Sequence, residues 1–139
     1  MERFVWSEEY SLGIATIDDQ HKYFFELTNQ IIDLVNRGDA AAPDYFAAID
    51  HLGTYALYHL GTEEGYFKAF EYKDAAEHVE AHNIYRDRVQ KLMDLIRQSN
   101  SNLKEVESEI VLFTVNWLTH HIKGMDRKYV DLFKEHGVK

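Results

Sequence analysis

The chain has no cysteine, a single proline and only 7 glycines among its 139 residues. Without cysteine it can form no disulfide, hold no metal through thiolate and use no cysteine nucleophile. With so little Pro and Gly, few turns are specified, which favours long helices over many short strands. No apolar run approaches the roughly 20 residues of a membrane-spanning helix. Met1-Glu2-Arg3-Phe4 lacks the basic start and long apolar stretch of a secretory signal, so a cytoplasmic location is expected. Basic residues are also few: 15 Lys+Arg stand against 24 Asp+Glu, a formal charge of −9. A phosphate backbone calls for clustered Lys and Arg, so no nucleic-acid partner is expected. Nor is there a basic amphipathic stretch to hold the chain on an anionic membrane.

What is present belongs to a folded domain. The composition is 45% hydrophobic and 28% charged, and a chain near this size buries roughly 70% of its unfolded surface. A single domain over residues 1–139 is expected, all-α, as an antiparallel up-down-up-down four-helix bundle. The pattern predicts an irregular N-terminal arm over 1–16, helices over about 18–37, 43–70, 74–98 and 102–122, and a short C-terminal segment over 126–136. Thr16 and Asp19, Asp74 and Glu77, and Asn102 and Glu105 each stand at capping-box spacing. Pro43 suits a first helical turn, and Gly38 supplies a stop. The inward stripes read His21, Phe24, Thr28, Ile31, Val35; then Ile49, Leu52, Ala56, His59, Glu63, Phe67, Phe70. The third reads His78, His82, Tyr85, Val89, Leu92, Ile96, and the fourth Val106, Ile110, Phe113, Trp117.

Eight histidines accompany the missing cysteines, and their placement is informative. Each apolar stripe is continued at one end by polar residues: His21, the His59/Glu63 pair, the His78/His82 pair, and His120-His121 near Asp126. A spacing of four turns a helix by about 400°, so each pair shares one face. In an up-down-up-down bundle the start of helices one and three lies level with the end of two and four, so all the clusters meet in one core layer. Carboxylates buried there without partners cost several kcal/mol each, and a metal removes that cost. Five imidazoles and two carboxylates exceed one ion's needs and suit two. If each ion takes about six ligands, with both carboxylates and a hydroxide bridging, one position stays free for a small molecule. Imidazole suits zinc, copper, nickel and iron alike. A His-rich set favours the ferrous state and reversible binding over oxidative chemistry. His51 and His136 read instead as ordinary capped or hydrogen-bonded histidines.

The sequence Ile17-Asp18-Asp19-Gln20-His21, then His59-xxx-Glu63, His78-xxx-His82 and Trp117-Leu118-xx-His121-xxxx-Asp126, resembles the hemerythrin family in its bacterial single-domain branch. Trp6 and Leu12-Gly13-Ile14 are similar to that family's N-terminal arm. Periodicity leaves His120 and His121 equally placed; the resemblance selects His121. It implies two iron ions with a bridging oxo or hydroxo group. One iron would be held by His78, His82 and His121 and the other by His21 and His59, with Glu63 and Asp126 bridging. It implies a dioxygen pocket lined by Phe24, Leu60, Trp117, Leu118 and Ile122. The function implied is non-enzymatic, reversible dioxygen binding for carriage, buffering or storage, with an unidentified oxygen-consuming client as the protein partner to expect. An oxygen- or redox-sensing module and a di-iron oxidase or peroxidase are the alternative readings. One geometric condition follows. On a regular α-helix Asp126 would stand about 140° away from His121, so the helix must loosen or break near Gly124.

Overall fold

The computed structural model of the chain describes residues 1–98 and 103–139. Four long helices dominate: α1 (Ala15–Arg37), α2 (Ala42–Ala69), α3 (Ala75–Arg97) and α4 (Leu103–His120). A π turn (His121–Met125), a 3-10 turn (Asp126–Tyr129) and α5 (Val130–Glu135) follow. Each long helix packs on its sequence neighbour and α4 closes on α1, giving the antiparallel four-helix bundle the pattern implies. Short connections enforce that order. No helix among the described residues is long and apolar enough to cross a membrane.

The helix ends follow from local chemistry. Gly38 closes α1 in the left-handed region at φ 74°, with its N–H on Leu34 O, a position where a Cβ would be strained. Pro43 lies in the first turn of α2, and Asp44 accepts the Ala41 N–H at 3.2 Å. Asp74 stands at the cap of α3 without a side-chain cap bond. The expected opening of the fourth helix at Asn102 lies outside the described residues. The first helix differs from expectation: it starts at Ala15, capped by Ile14, and Thr16 makes no cap. Burial decides this. Ile14 and Ile17 are both fully buried, so the chain turns helical early enough to sink both into the core.

Asp18 is thereby released for another task. Its carboxylate accepts Ser11 Oγ at 2.6 Å and the Leu12 N–H at 2.9 Å, fastening the arm to α1. The arm then runs back along α1. Asn29 pairs with the Phe4 backbone in both directions (2.6 and 2.9 Å), Arg3 reaches Asp33 at 2.7 Å, and Asn36 holds both polar groups of Met1 at 2.8 Å. Phe4 stacks on Phe25 with centroids 3.6 Å apart, and Trp6 and Tyr10 complete the aromatic cluster. At the other terminus Phe133 is buried against Tyr129, and Lys139 O accepts the Thr16 N–H at 3.2 Å.

The buried stripe of α3 is the one read from the sequence. On α4 Val106 and Ile110 are buried as expected, but beyond them the buried positions shift to Val111, Thr114 and Leu118, while Phe113 and Trp117 are half-buried. Those two rings lie over Tyr85, at 5.7 and 4.4 Å between centroids. They fill the α3–α4 seam rather than the bundle axis, where a smaller Thr114 fits.

Asn29→Ala should strand two backbone groups of Phe4, one of them the N–H that the buried carboxamide receives. The unfolding free energy should fall by about 1–3 kcal/mol in urea. An unchanged midpoint would mean that the arm is not part of the cooperative fold.

Candidate metal centre

At the end of the bundle where α1 and α3 begin and α2 and α4 finish, seven polar side chains meet. His21, His59, Glu63, His78, His82, His121 and Asp126 are all buried, the most accessible being His121 at 5%. Their ligand atoms form two groups: Glu63, His78, His82, His121 and Asp126 in one, and His21, His59, Glu63 and Asp126 in the other. Within each group the atoms lie within 4.8 Å of one another, and the two carboxylates belong to both. His78 and His121 Nε2 each stand 3.0 Å from Asp126 Oδ1, and His21 Nε2 stands 3.2 Å from Oδ2. His82 Nε2 lies 3.1 Å from Glu63 Oε1, with His59 Nε2 at 3.7 Å from that oxygen. Imidazole nitrogens also crowd each other: His21 and His59 at 3.1 Å, His78 and His121 at 3.0 Å, His82 and His121 at 3.1 Å.

Asp126 reaches this layer because the helix changes pitch. Through His121–Met125 the chain forms a π turn, and the Asp126 N–H bonds to His121 O, five residues back. The wider turn carries one more residue than an α turn, so residues five apart come onto one face. The expected loosening therefore takes the form of a continuous wide turn. It is not a steric effect of Gly124, where an added Cβ would meet nothing. Arg127 holds the segment from outside by donating to Glu9 O at 3.0 Å. His120 is exposed and its Nδ1–H donates to Asn116 O at 2.7 Å. Geometry thus places His121, not His120, in the cluster. His51 and His136 are also exposed and lie outside the cluster, His51 against the Tyr23 hydroxyl at 3.3 Å and His136 with its Nδ1 against Leu132 O at 2.9 Å.

The donor set fits a metal pair on a direct observation. Glu63 Oε1 and both Asp126 oxygens are buried and have no aligned hydrogen bond, although several Nε2 atoms surround them. Buried carboxylate oxygens are otherwise satisfied in folded proteins, and cations between the imidazoles would satisfy these. The electrostatics point the same way. Burial pushes the Asp126 carboxyl up, but His121, His21 and His78 outweigh it and hold it well below the usual carboxylate range. For Glu63, burial and Asp126 push up, His59 and His82 push down, and the net direction is down. Both carboxylates are therefore anionic acceptors. Burial lowers His59 from its ordinary 6.5 to about 4, keeping its imidazole neutral and able to donate a lone pair.

A second ring of contacts orients the first. His59 Nδ1 meets Gln20 Oε1 and His82 Nδ1 meets Glu64 Oε2, each at 2.6 Å. The Tyr129 hydroxyl donates to Glu63 Oε2, and burial together with Glu63 and Asp126 pushes that phenol well above its ordinary value. Trp117 stacks on His121 with centroids 4.1 Å apart and planes 13° off parallel. Phe24 meets His59 edge-on at 6.1 Å, and Leu60, Leu118 and Ile122 are fully buried. Sequence reasoning missed Glu64, Arg86 and Tyr129 as supports, since side chains that contact a site through another residue leave no spacing pattern of their own.

For the metal-free protein the sign of the pH effect is fixed. Above pH 6.5 His59 is neutral folded and unfolded, and that contribution is complete. As pH falls from 6.5 towards 4 the unfolded chain takes a proton the folded one refuses, so stability is lost. Each pH unit in that range costs about 1.4 kcal/mol, so the loss should reach roughly 2 kcal/mol by pH 5. The lowered Glu63 and Asp126 carboxyls extend the loss to lower pH. Urea unfolding at pH 7 and pH 5 measures it, and equal stabilities would contradict a buried neutral His59.

Comparison with known proteins agrees with this geometry. The family description "Hemerythrin HHE cation binding domain" matches residues 12–133. A bacteriohemerythrin of Clostridium acetobutylicum is 30% identical over 92% of this chain and 99% of its own. A hemerythrin-like protein of Naegleria gruberi is 29% identical over 91% of this chain and 90% of its own. A crystal structure of a hemerythrin point mutant superimposes at a TM-score of 0.80, covering 95% of this chain and 98% of that one at 22% identity. At that identity the structural likeness speaks for the four-helix fold alone. The match across residues 12–133, with the bacterial relative aligned over nearly its whole length, makes this chain a member of the hemerythrin family.

Proposed function

We propose that the chain binds dioxygen reversibly at a non-haem di-iron centre, in the carriage, buffering or storage of oxygen. The observation that supports this most directly is the buried seven-residue cluster whose two carboxylates are common to both halves. His78, His82 and His121 would hold one iron and His21 and His59 the other, with Glu63, Asp126 and an oxo or hydroxo group shared between them. Bound there, the iron pair supplies the electrons that reversible uptake of dioxygen requires.

The chain's own residues set the terms. A set of five imidazoles against two carboxylates favours the ferrous state, which is the one that must be regained on release. The half with fewer histidines would leave its metal room for a small ligand. Phe24, Leu60, Leu118 and Ile122, all buried, keep water and its protons from the centre, where they would promote irreversible oxidation. Trp117 covers His121, the most accessible of the seven. Tyr129 holds Glu63 by one oxygen and leaves the other facing His82. Turnover of a second substrate is no part of this reading, and the oxygen would pass to an oxygen-consuming client in the cytoplasm.

The test is anaerobic loading with two equivalents of ferrous iron, then air, then evacuation, followed by visible absorption. A charge-transfer band that appears in air and vanishes on evacuation is expected. Irreversible conversion to a diferric spectrum would overturn the carrier reading in favour of sensing or oxidase chemistry.

A further inference from the structure

Two of the five histidines are backed by side chains of matching geometry and different charge. His59 Nδ1 lies 2.6 Å from Gln20 Oε1, and His82 Nδ1 lies 2.6 Å from Glu64 Oε2. In each pair the Nδ1–H donates outward, which leaves the Nε2 lone pair facing the centre and fixes the tautomer. The acceptors are not equivalent. An amide oxygen is neutral, whereas a carboxylate makes a charge-assisted bond roughly twice as strong and raises the basicity of the imidazole behind which it sits.

Glu64 is also anchored from the solvent side. Arg86 donates to the same Oε2 at 2.8 Å, and its other terminal nitrogen donates to Asn83 Oδ1 at 2.9 Å. The Glu64 side chain is 26% accessible, so its charge needs no burial compensation from His82 itself. Gln20 has no comparable ion pair: the contact near it is the Tyr55 hydroxyl, which donates to the Gln20 backbone carbonyl at 3.3 Å. The negative charge therefore lies behind the half of the centre that contains His78, His82 and His121, and a neutral amide lies behind the half that contains His21 and His59.

We propose that Glu64 is a positioning residue that makes His82 the stronger imidazole donor, and that Gln20 is its neutral counterpart. The two halves of the centre are electronically unequal, and the three-histidine half holds its metal more tightly than its extra imidazole alone would give. This inference rests on the seven-ligand reading above.

The test uses the whole metal-free chain and cobalt(II), which reports its own binding by ligand-field absorption and avoids oxidation in air. Competition with a chelator then gives the affinities of the two equivalents. Glu64→Gln keeps an acceptor oxygen in place and removes only the charge. It should weaken the tighter step by about 10- to 100-fold and leave the weaker step nearly unchanged. Gln20→Glu should tighten the weaker step, an effect that no loss of fold can imitate. Arg86→Met keeps the Glu64 charge and should not reproduce the loss seen in Glu64→Gln.

Unchanged cobalt affinities in both the Glu64 and Gln20 variants would overturn the proposal. So would an Arg86→Met loss equal to that of Glu64→Gln, because Glu64 would then be scaffold held by its ion pair. Failure of the unsubstituted chain to take two equivalents would instead overturn the ligand reading beneath it.

Discussion

Two carboxylates with no access to water, Glu63 on α2 and Asp126 beyond the π turn, govern this structure. Isolated burial of such groups costs several kcal/mol each, and here five imidazoles converge on them from α1, α2, α3 and the π turn that continues α4. The imidazole nitrogens also face one another at about 3 Å, so the carboxylates are the only anionic groups of the cluster set among them. Helix register and the change of pitch after α4 bring these groups to one level. The apolar halves of the same stripes, from Ile31, Leu52, Leu92 and Ile110, fill the core beyond it.

Around that layer the protein commits further contacts to orientation. A hydrogen bond on the outer nitrogen orients an imidazole and fixes its tautomer, and Gln20 and Glu64 provide that for His59 and His82. Tyr129 does the equivalent for a carboxylate. Trp117 protects His121 by stacking, while its own outer edge stays half-exposed. The N-terminal arm is joined to the π turn through Glu9 and Lys123 and to the 3-10 turn through Glu9 and Arg127, so the segment that positions Asp126 is held from outside the bundle as well as from within. A wide turn of this kind is rare inside helices, and here it brings Asp126 onto the face of His121.

Much of this is legible in the sequence. Four apolar stripes at helical spacing imply the bundle, and polar residues at alternating ends of those stripes imply one shared layer. The need for irregularity between His121 and Asp126 also follows from helix geometry, though not its form: spacing cannot distinguish a break from a π turn. The start of α1 is not legible, because Thr16 and Asp19 match a capping pattern while burial of Ile14 and Ile17 outweighs it. On α4 spacing places the stripe one position away, because Phe113 and Trp117 are more hydrophobic than Thr114 and yet too large for the axis. Choice between His120 and His121 lies beyond periodicity altogether, and it takes the backbone to separate them.

The chemistry of this protein turns on whether these seven side chains hold two metal ions between them. Anomalous diffraction at the iron edge, from crystals of the chain loaded anaerobically with ferrous iron, tests it most directly. Two peaks are expected in the core layer, one bounded by His78, His82 and His121 and the other by His21 and His59, with Glu63 and Asp126 touching both. A single peak, or iron located away from the two carboxylates, would contradict it.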